Sequence, residues 1–172
     1  MEKFDIYDDN RILTGKVKIK GEKCDIGENK LVIHICIFNK QDQLLIQHRQ
    51  CTKKLYPNLW DLSVGGHTMA GESSRKSAER ELKEELGIDY NFSNIRPSLT
   101  INFTHGFDDY YIIELDLDAD KLTLQDEEVE SVKWASLDEI ISLIQNKQFI
   151  PYTPRFIELL FDMKNLDGVL SE

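Results

Sequence analysis

The sequence predicts an α/β or α+β sandwich, and three observations predict it. Short apolar runs rich in β-branched residues recur on both sides of the middle of the chain. Between them, Ser74 to Leu86 has no Gly or Pro and is dominated by good helix formers. Two further helix-like segments follow late in the chain. Strands around one central helix, with helices added at the end, bury their apolar faces most simply as layers.

Residues 1–30 alternate short apolar pieces with Asp8-Asp9-Asn10, Gly15 and Gly21, and read as strands or loops without a clear period. Leu31 to Phe38 and Leu44 to His48 are apolar runs, and Asn39 to Gln43 between them makes a hairpin the natural reading. His34 falls inside the first run and reads as a packed or half-buried residue rather than a ligand. Trp60 to Val64 reads as a short strand feeding the turn at Gly65-Gly66.

The central helix has Ser73 or Ser74 as N-cap and Gly87 where a left-handed stop is wanted. At roughly 100° per residue, Ala78, Leu82 and Leu86 form one apolar stripe. Glu81, Glu84 and Glu85 fall at i, i+3 and i+4, on an arc bordering that stripe. Three carboxylates so crowded repel each other unless a cation sits between them. Hard divalent ions such as Mg2+ take oxygen ligands and leave coordination positions open for phosphates. Arg80 precedes the first of these glutamates, and Glu72 lies in the loop before the helix. A bidentate contact between them would tie loop to helix and fix the ligands' directions.

Beyond the helix, Ser98 to Phe103 and Tyr110 to Leu117 are strand-like, joined by Thr104 to Asp109. That joint reads first as a surface turn; should it border the site, His105, Phe107 and Asp108 are its candidates. Gln125 to Trp134 combines an acidic cluster with an alternating strand that uses Val129, Val132 and Trp134. Ser136 starts a helix to about Gln145 with Leu137, Ile140, Ile141 and Ile144 inward. Thr153-Pro154 caps another through Met163, with Phe156, Leu159 and Leu160 on its packed side. The tail from Lys164 is expected to fray.

With 172 residues, 41% hydrophobic and 30% charged, the chain has the length and balance of one domain over 1–172. No apolar run is long enough to span a bilayer, and the start does not read as a signal peptide. Cys24, Cys36 and Cys51 are odd in number and lack metal-type spacing, so they read as reduced thiols of a cytoplasmic protein. A net charge of −10 argues against polymeric nucleic acid as partner. A small anionic substrate stays allowed, because a bound cation reverses the local field. A monomer and a homodimer are both left open.

Gly66, five residues, Glu72, seven residues, then Arg80-Glu81-Leu82-Lys83-Glu84-Glu85-Leu86-Gly87-Ile88 resembles the Nudix box at every defined position. The box therefore spans residues 66–88. The resemblance implies an α/β/α sandwich with a mixed sheet, and a metal-dependent hydrolase of a diphosphate linked to another moiety. It implies Mg2+ or Mn2+ on Glu81, Glu84 and Glu85, with the Gly65 carbonyl as a further ligand and Glu72 and Arg80 orienting the set. Acidic loops in such enzymes sometimes add a ligand or base, and Glu128, with Glu127 behind it, is the position chosen here. The general base stays open among Glu81, Glu85 and Glu128.

Phe4 to Asp8 followed by Thr14-Gly15-Lys16 resembles the start of Nudix proteins related to isopentenyl-diphosphate isomerase. Arg49, Lys53, Pro57 and Trp60 match an Arg, Lys, Pro, Trp spacing of the same relatives. On that basis Arg49 and Lys53 are expected to clamp phosphate, Trp60 to anchor their loop, and His67 to join the substrate site. The isomerase is the rival reading. Against it, Gly65 stands where that family carries a catalytic cysteine, no clear Glu-x-Glu lies in 105–114, and the box here is complete. A non-catalytic nucleotide-binding module is the third reading, and the lost carboxylate that would mark it is not seen. A nucleoside diphosphate derivative is the expected substrate, with Trp60, Phe103 and Phe107 as aromatic residues able to stack a base or to serve as core.

Overall fold

A computed structural model describes residues 2–166. The chain opens with a hairpin of β1 (Lys3–Tyr7) and β2 (Leu13–Ile19), paired antiparallel from Lys3↔Ile19 to Tyr7↔Leu13. Phe4 and Ile6 turn inward, whereas Leu13 and Val17 of β2 stay exposed.

The main sheet forms around β3 (Lys30–Phe38). It pairs in parallel with β8 (Gly106–Glu114) from Lys30↔Gly106 to Phe38↔Glu114. Strand β4 (Leu44–Arg49) is antiparallel to β3, but the pair meets at Phe38↔Leu44 and then diverges. Into the opening beside the first half of β3 comes β6 (Val64–His67), paired Val32↔His67 through Ile35↔Val64. Past Leu44 the same edge of β4 pairs with β5 (Trp60–Asp61), its opposite edge pairs with β9 (Val129–Ala135), and β7 (Leu99–Phe103) closes the β8 edge. The sheet is thus mixed, as expected.

The run from Trp60 to Val64, expected as one strand, is broken at Leu62-Ser63. Asp61 folds its carboxylate onto the Leu62 N–H at 2.8 Å. The buried Ser63 hydroxyl donates to the Leu45 carbonyl at 2.5 Å and accepts the Ile37 N–H at 2.9 Å. One hydroxyl thereby bridges β3 and β4 where they separate.

Helix α1 (Ser74–Leu86) covers one face of the sheet. Ser73 caps its start by accepting the Lys76 N–H, and Gly87 ends it at φ 70° with its N–H bonded to the Lys83 carbonyl. Ala78, Leu82 and Leu86 are fully buried against Ile33, Ile35 and Ile37. The other face packs Cys36, Phe38, Leu44 and Ile46 against α2 (Leu137–Gln145) and α3 (Pro154–Lys164), capped by Ser136 and Thr153. On α3 the buried positions are Ile157 and Leu160; Leu159, expected inside, is 39% exposed. Lys164 is no frayed end, because its ammonium meets the Asn39 carbonyl at 3.1 Å and pairs with Asp42. Residues 167–172 of the expected frayed tail lie outside the described residues.

The turn expected over Thr104 to Asp109 is shorter. Phe103 pairs with Gly106, so Thr104-His105 alone make the bend, with His105 at φ 66°, and Asp108 and Asp109 belong to β8. No helix among the described residues is long and apolar enough to cross a membrane.

Candidate active site

Helical spacing brings the three glutamates to one edge of α1, but the sheet treats them differently. Side-chain exposure is 46% for Glu84 and 13% for Glu81, and Glu85 is 3% exposed as a residue. Glu81 lies directly over Gly66. A Cβ built there would fall 2.1 Å from the Glu81 carboxylate, so a side chain at this position would displace that carboxylate.

Arg80 organises the near side. Its Nε and Nη2 donate to the two oxygens of Glu72 at 2.8 and 3.0 Å, the expected fork. Nη2 also donates to the His67 carbonyl at 3.0 Å, and Nη1 reaches Glu84 at 3.0 Å and Glu81 at 2.8 Å. Glu72 further accepts the Ser77 hydroxyl and the Met69 N–H. Burial pushes the Glu72 pKa up, but these donors outweigh it and hold the carboxyl below its ordinary value. Burial works on Arg80 in the opposite sense, and Glu72 and Glu81 outweigh it to keep the guanidinium charged.

The inner pair is not compensated in this way. Burial raises Glu81 to about 7 against the pull of Arg80, with Glu84 adding repulsion. Glu85 is raised well above the ordinary carboxylate range by burial, then by the charge of Glu81. The Gln47 amide donates to Glu85 at 3.0 Å from β4 and partly opposes that rise. Gln47 was missed by sequence reasoning; its one signal was a polar residue ending the run Leu44-Leu45-Ile46.

Glu128 enters from the loop before β9. Gln125 of that loop donates its N–H to the Glu85 carbonyl at 3.1 Å, and the charge of Glu128 is felt at Glu85. Glu128 pairs with Lys53, while Glu127 is exposed. Arg49 bonds the Tyr56 and Leu55 carbonyls at 3.2 and 3.1 Å and Asp61 at 3.2 Å, folding the loop 50–59 onto itself. The two cations expected as a phosphate clamp are therefore both engaged by groups of the protein.

Gly65 lies opposite His34 in β6, with room for a Cβ only 3.0 Å from the His34 Nδ1. His67 sits with Nε2 3.1 Å from the Lys30 ammonium. Burial, then Lys30 and Lys20, push its pKa down to about 4. His34 is half-buried, stacked on Tyr110 at 4.7 Å, with Nε2 3.7 Å from Asp108. Phe107 is core and Trp60 packs between His48 and Lys133, whereas Phe103 remains on the surface.

Among the described residues, no three carboxylate, imidazole or thiol side chains converge as a ready metal cage. Arg80 holds Glu81 and Glu84, and Gln47 holds Glu85. A hard divalent cation nevertheless fits this donor set. Two carboxylates with raised pKa values, Glu85 buried and Glu81 largely withdrawn from solvent, beside a glycine turn that admits close approach, hold negative charge that a cation would offset.

The description "NUDIX domain" belongs to the family model that matches residues 28–160. The chain belongs to the Nudix family. An uncharacterised Nudix hydrolase of Listeria innocua is 47% identical over 96% of both chains. The isopentenyl-diphosphate Delta-isomerase of Shigella flexneri is 30% identical over 61% of this chain and 60% of its own. The crystal structure of DR0079 from Deinococcus radiodurans superposes with a TM-score of 0.75 at 20% identity, covering 94% of this chain and 99% of that one. The Nudix fold is thereby shown, and the chain is a pyrophosphohydrolase that acts on a phosphoanhydride. Nudix hydrolases generally need a divalent metal ion.

Proposed function

We propose that this Nudix hydrolase uses Mg2+ or Mn2+ to cleave the diphosphate of a nucleoside diphosphate derivative. The observation that carries the reading is the pair Glu81 and Glu85, buried side by side on α1 against the Gly65-Gly66 turn. Glu81, Glu84 and Glu85 would hold the ion, with the Gly65 carbonyl and Glu128 as further ligands. The bound ion supplies charge that offsets the phosphate oxygens in the transition state.

The protein's own groups do the rest. Arg80 and Glu72 lock the loop 68–72 to α1, so the carboxylates keep their directions. Gln47 fixes the rotamer of Glu85 from below. One carboxylate among Glu81, Glu85 and Glu128 would be left to accept the proton of the attacking water. Movement of Lys53 off Glu128 would free both a cation for phosphate and a carboxylate for metal.

The isomerase reading is favoured by the spacing of Arg49, Lys53, Pro57 and Trp60 and by the partial likeness to the Shigella flexneri enzyme. Against it, Gly65 occupies the position expected for the catalytic cysteine, and Cys36 is fully buried with its thiol pKa pushed up. A Mg2+-supplemented screen of nucleoside diphosphate derivatives, nucleoside triphosphates and isopentenyl diphosphate tests the choice. Release of phosphate, pyrophosphate or nucleotide is expected. Isomer formation without phosphorus release would sink the hydrolase reading.

A further inference from the structure

Side chains alternate along β3. Ile33, Ile35 and Ile37 are buried under α1, and Cys36 and Phe38 are buried under α2 and α3. The remaining positions on that second face, Lys30, Val32 and His34, are only half-buried. Register puts His67 opposite Val32 and brings Asp108 to its other side. A strand at the centre of a mixed sheet ordinarily carries apolar residues covered on both faces. Here half of one face is polar and open.

Lys30 is the unusual member. Among the described residues, every other half-buried lysine or arginine meets a carboxylate or a backbone carbonyl. The Lys30 ammonium meets the His67 Nε2, at 3.1 Å. An ammonium only donates, so Nε2 must accept, and among the described residues no carboxylate pairs directly with Lys30, although the charges of Asp108 and Glu2 are felt at His67. The same contact occupies the lone pair with which His67 would bind a metal. A half-buried charge without a directly paired counter-charge is unfavourable, unless a ligand provides one. His34, on the same face, also leaves its buried Nδ1 without a partner. The exposed Phe103 ring lies 6.0 Å from the ammonium, folded over Gly106, where a Cβ would come within 2.2 Å of it.

We propose that Lys30, backed by His67, is a substrate-binding residue that takes a phosphate on the sheet face opposite α1. Phe103 beside it offers a surface for the planar group attached to that phosphate. The subsite deepens the hydrolase reading and rests on it for the identity of the substrate, whereas its affinity for phosphate does not require turnover.

Titration calorimetry with ADP and with inorganic pyrophosphate, on the wild type, Lys30→Gln, Lys30→Met and Lys30→Arg, tests it. Loss of a charge-assisted hydrogen bond is expected to weaken ADP by about tenfold or more in the Gln and Met variants. Lys30→Arg is expected to stay within about threefold of wild type, since it keeps the charge. With the substrate found in the screen, KM rises by a factor similar to that for ADP, and kcat changes by less than about threefold. Wild type that binds neither probe, or Gln and Met variants that bind ADP as wild type does, would overturn the subsite. Hydrolysis by wild type with KM unchanged in Lys30→Gln overturns the subsite and leaves the hydrolase reading intact. Lys30-dependent binding of ADP without hydrolysis of any substrate supports the subsite and removes the hydrolase reading.

Discussion

Glu28 and Glu85 are both nearly withdrawn from solvent, at 7% and 3% exposure, yet their surroundings are opposite. Glu28 stands between β2 and β3 and is answered on every side. Lys18 and Lys16 pair with it and the Asp25 N–H donates to it, which holds its pKa at about 2. Glu85 has one neutral amide, from Gln47, and the charge of Glu81 beside it, so its pKa is raised well above the ordinary range. A buried carboxylate that the protein has already neutralised ties strands together. One that it leaves unbalanced is available to something the chain does not contain.

The largest effect expected from this contrast is on turnover. Glu85→Gln, and likewise Glu84→Gln, should lower kcat by about 10²-fold or more, the scale of losing a positioned metal ligand or base. Glu85→Gln should leave the melting temperature equal or higher, since a charge that resists burial is removed. Glu28→Gln should do the reverse, lowering the melting temperature while kcat is kept. Equal losses of stability in the two variants would erase the distinction.

Next in size, Arg80→Lys loses the fork on Glu72 while keeping the charge. Metal activation should weaken by about tenfold, as for other groups that orient metal ligands. A titration of rate against Mg2+ reads this directly, and an unchanged midpoint would make the fork merely structural.

The two carboxylates also give opposite slopes with pH. Glu81, near 7 when folded against 4.5 when free, binds more protons in the folded state between those values. Its contribution to stability is therefore full below about 4.5 and is lost as pH rises through about 7. Glu28, at about 2 against 4.5, contributes above about 4.5 and loses that contribution as pH falls through about 2. Metal must displace the protons held at Glu81 and Glu85. The Mg2+-induced rise in melting temperature should thus grow as pH is raised from about 5 toward 7. A shift of constant size over that range would contradict the raised pair. The smallest change is expected in the pH slope of Glu28→Gln, whose lowered stability should vary less than that of wild type between about pH 2 and 4.5.

Legibility in the sequence followed the distance between partners. Gly87, the stripe of Ala78, Leu82 and Leu86, and the Arg80–Glu72 fork join residues within a turn or two and were foreseen. The cap was narrowed to Ser73 or Ser74, of which Ser73 serves. The break at Leu62-Ser63 was not, because Ser63 answers Ile37 and Leu45 from strands far away in the chain. Arg49 and Lys53 read as free cations in a short loop. Their engagement depends on Asp61 and on Glu128, which lies 75 residues beyond Lys53. Gln47 showed only as a polar residue ending an apolar run and Lys30 carried no local sign, since each is meaningful through one contact outside its own strand.

By itself, then, the sequence determined the Nudix helix, its caps and its row of glutamates, because helical period and capping act between near neighbours. The tertiary structure decided which of those glutamates went under the sheet and which stayed in water. Burial and the count of opposing charges set how strongly a carboxylate holds its proton, and both are properties of the packed molecule.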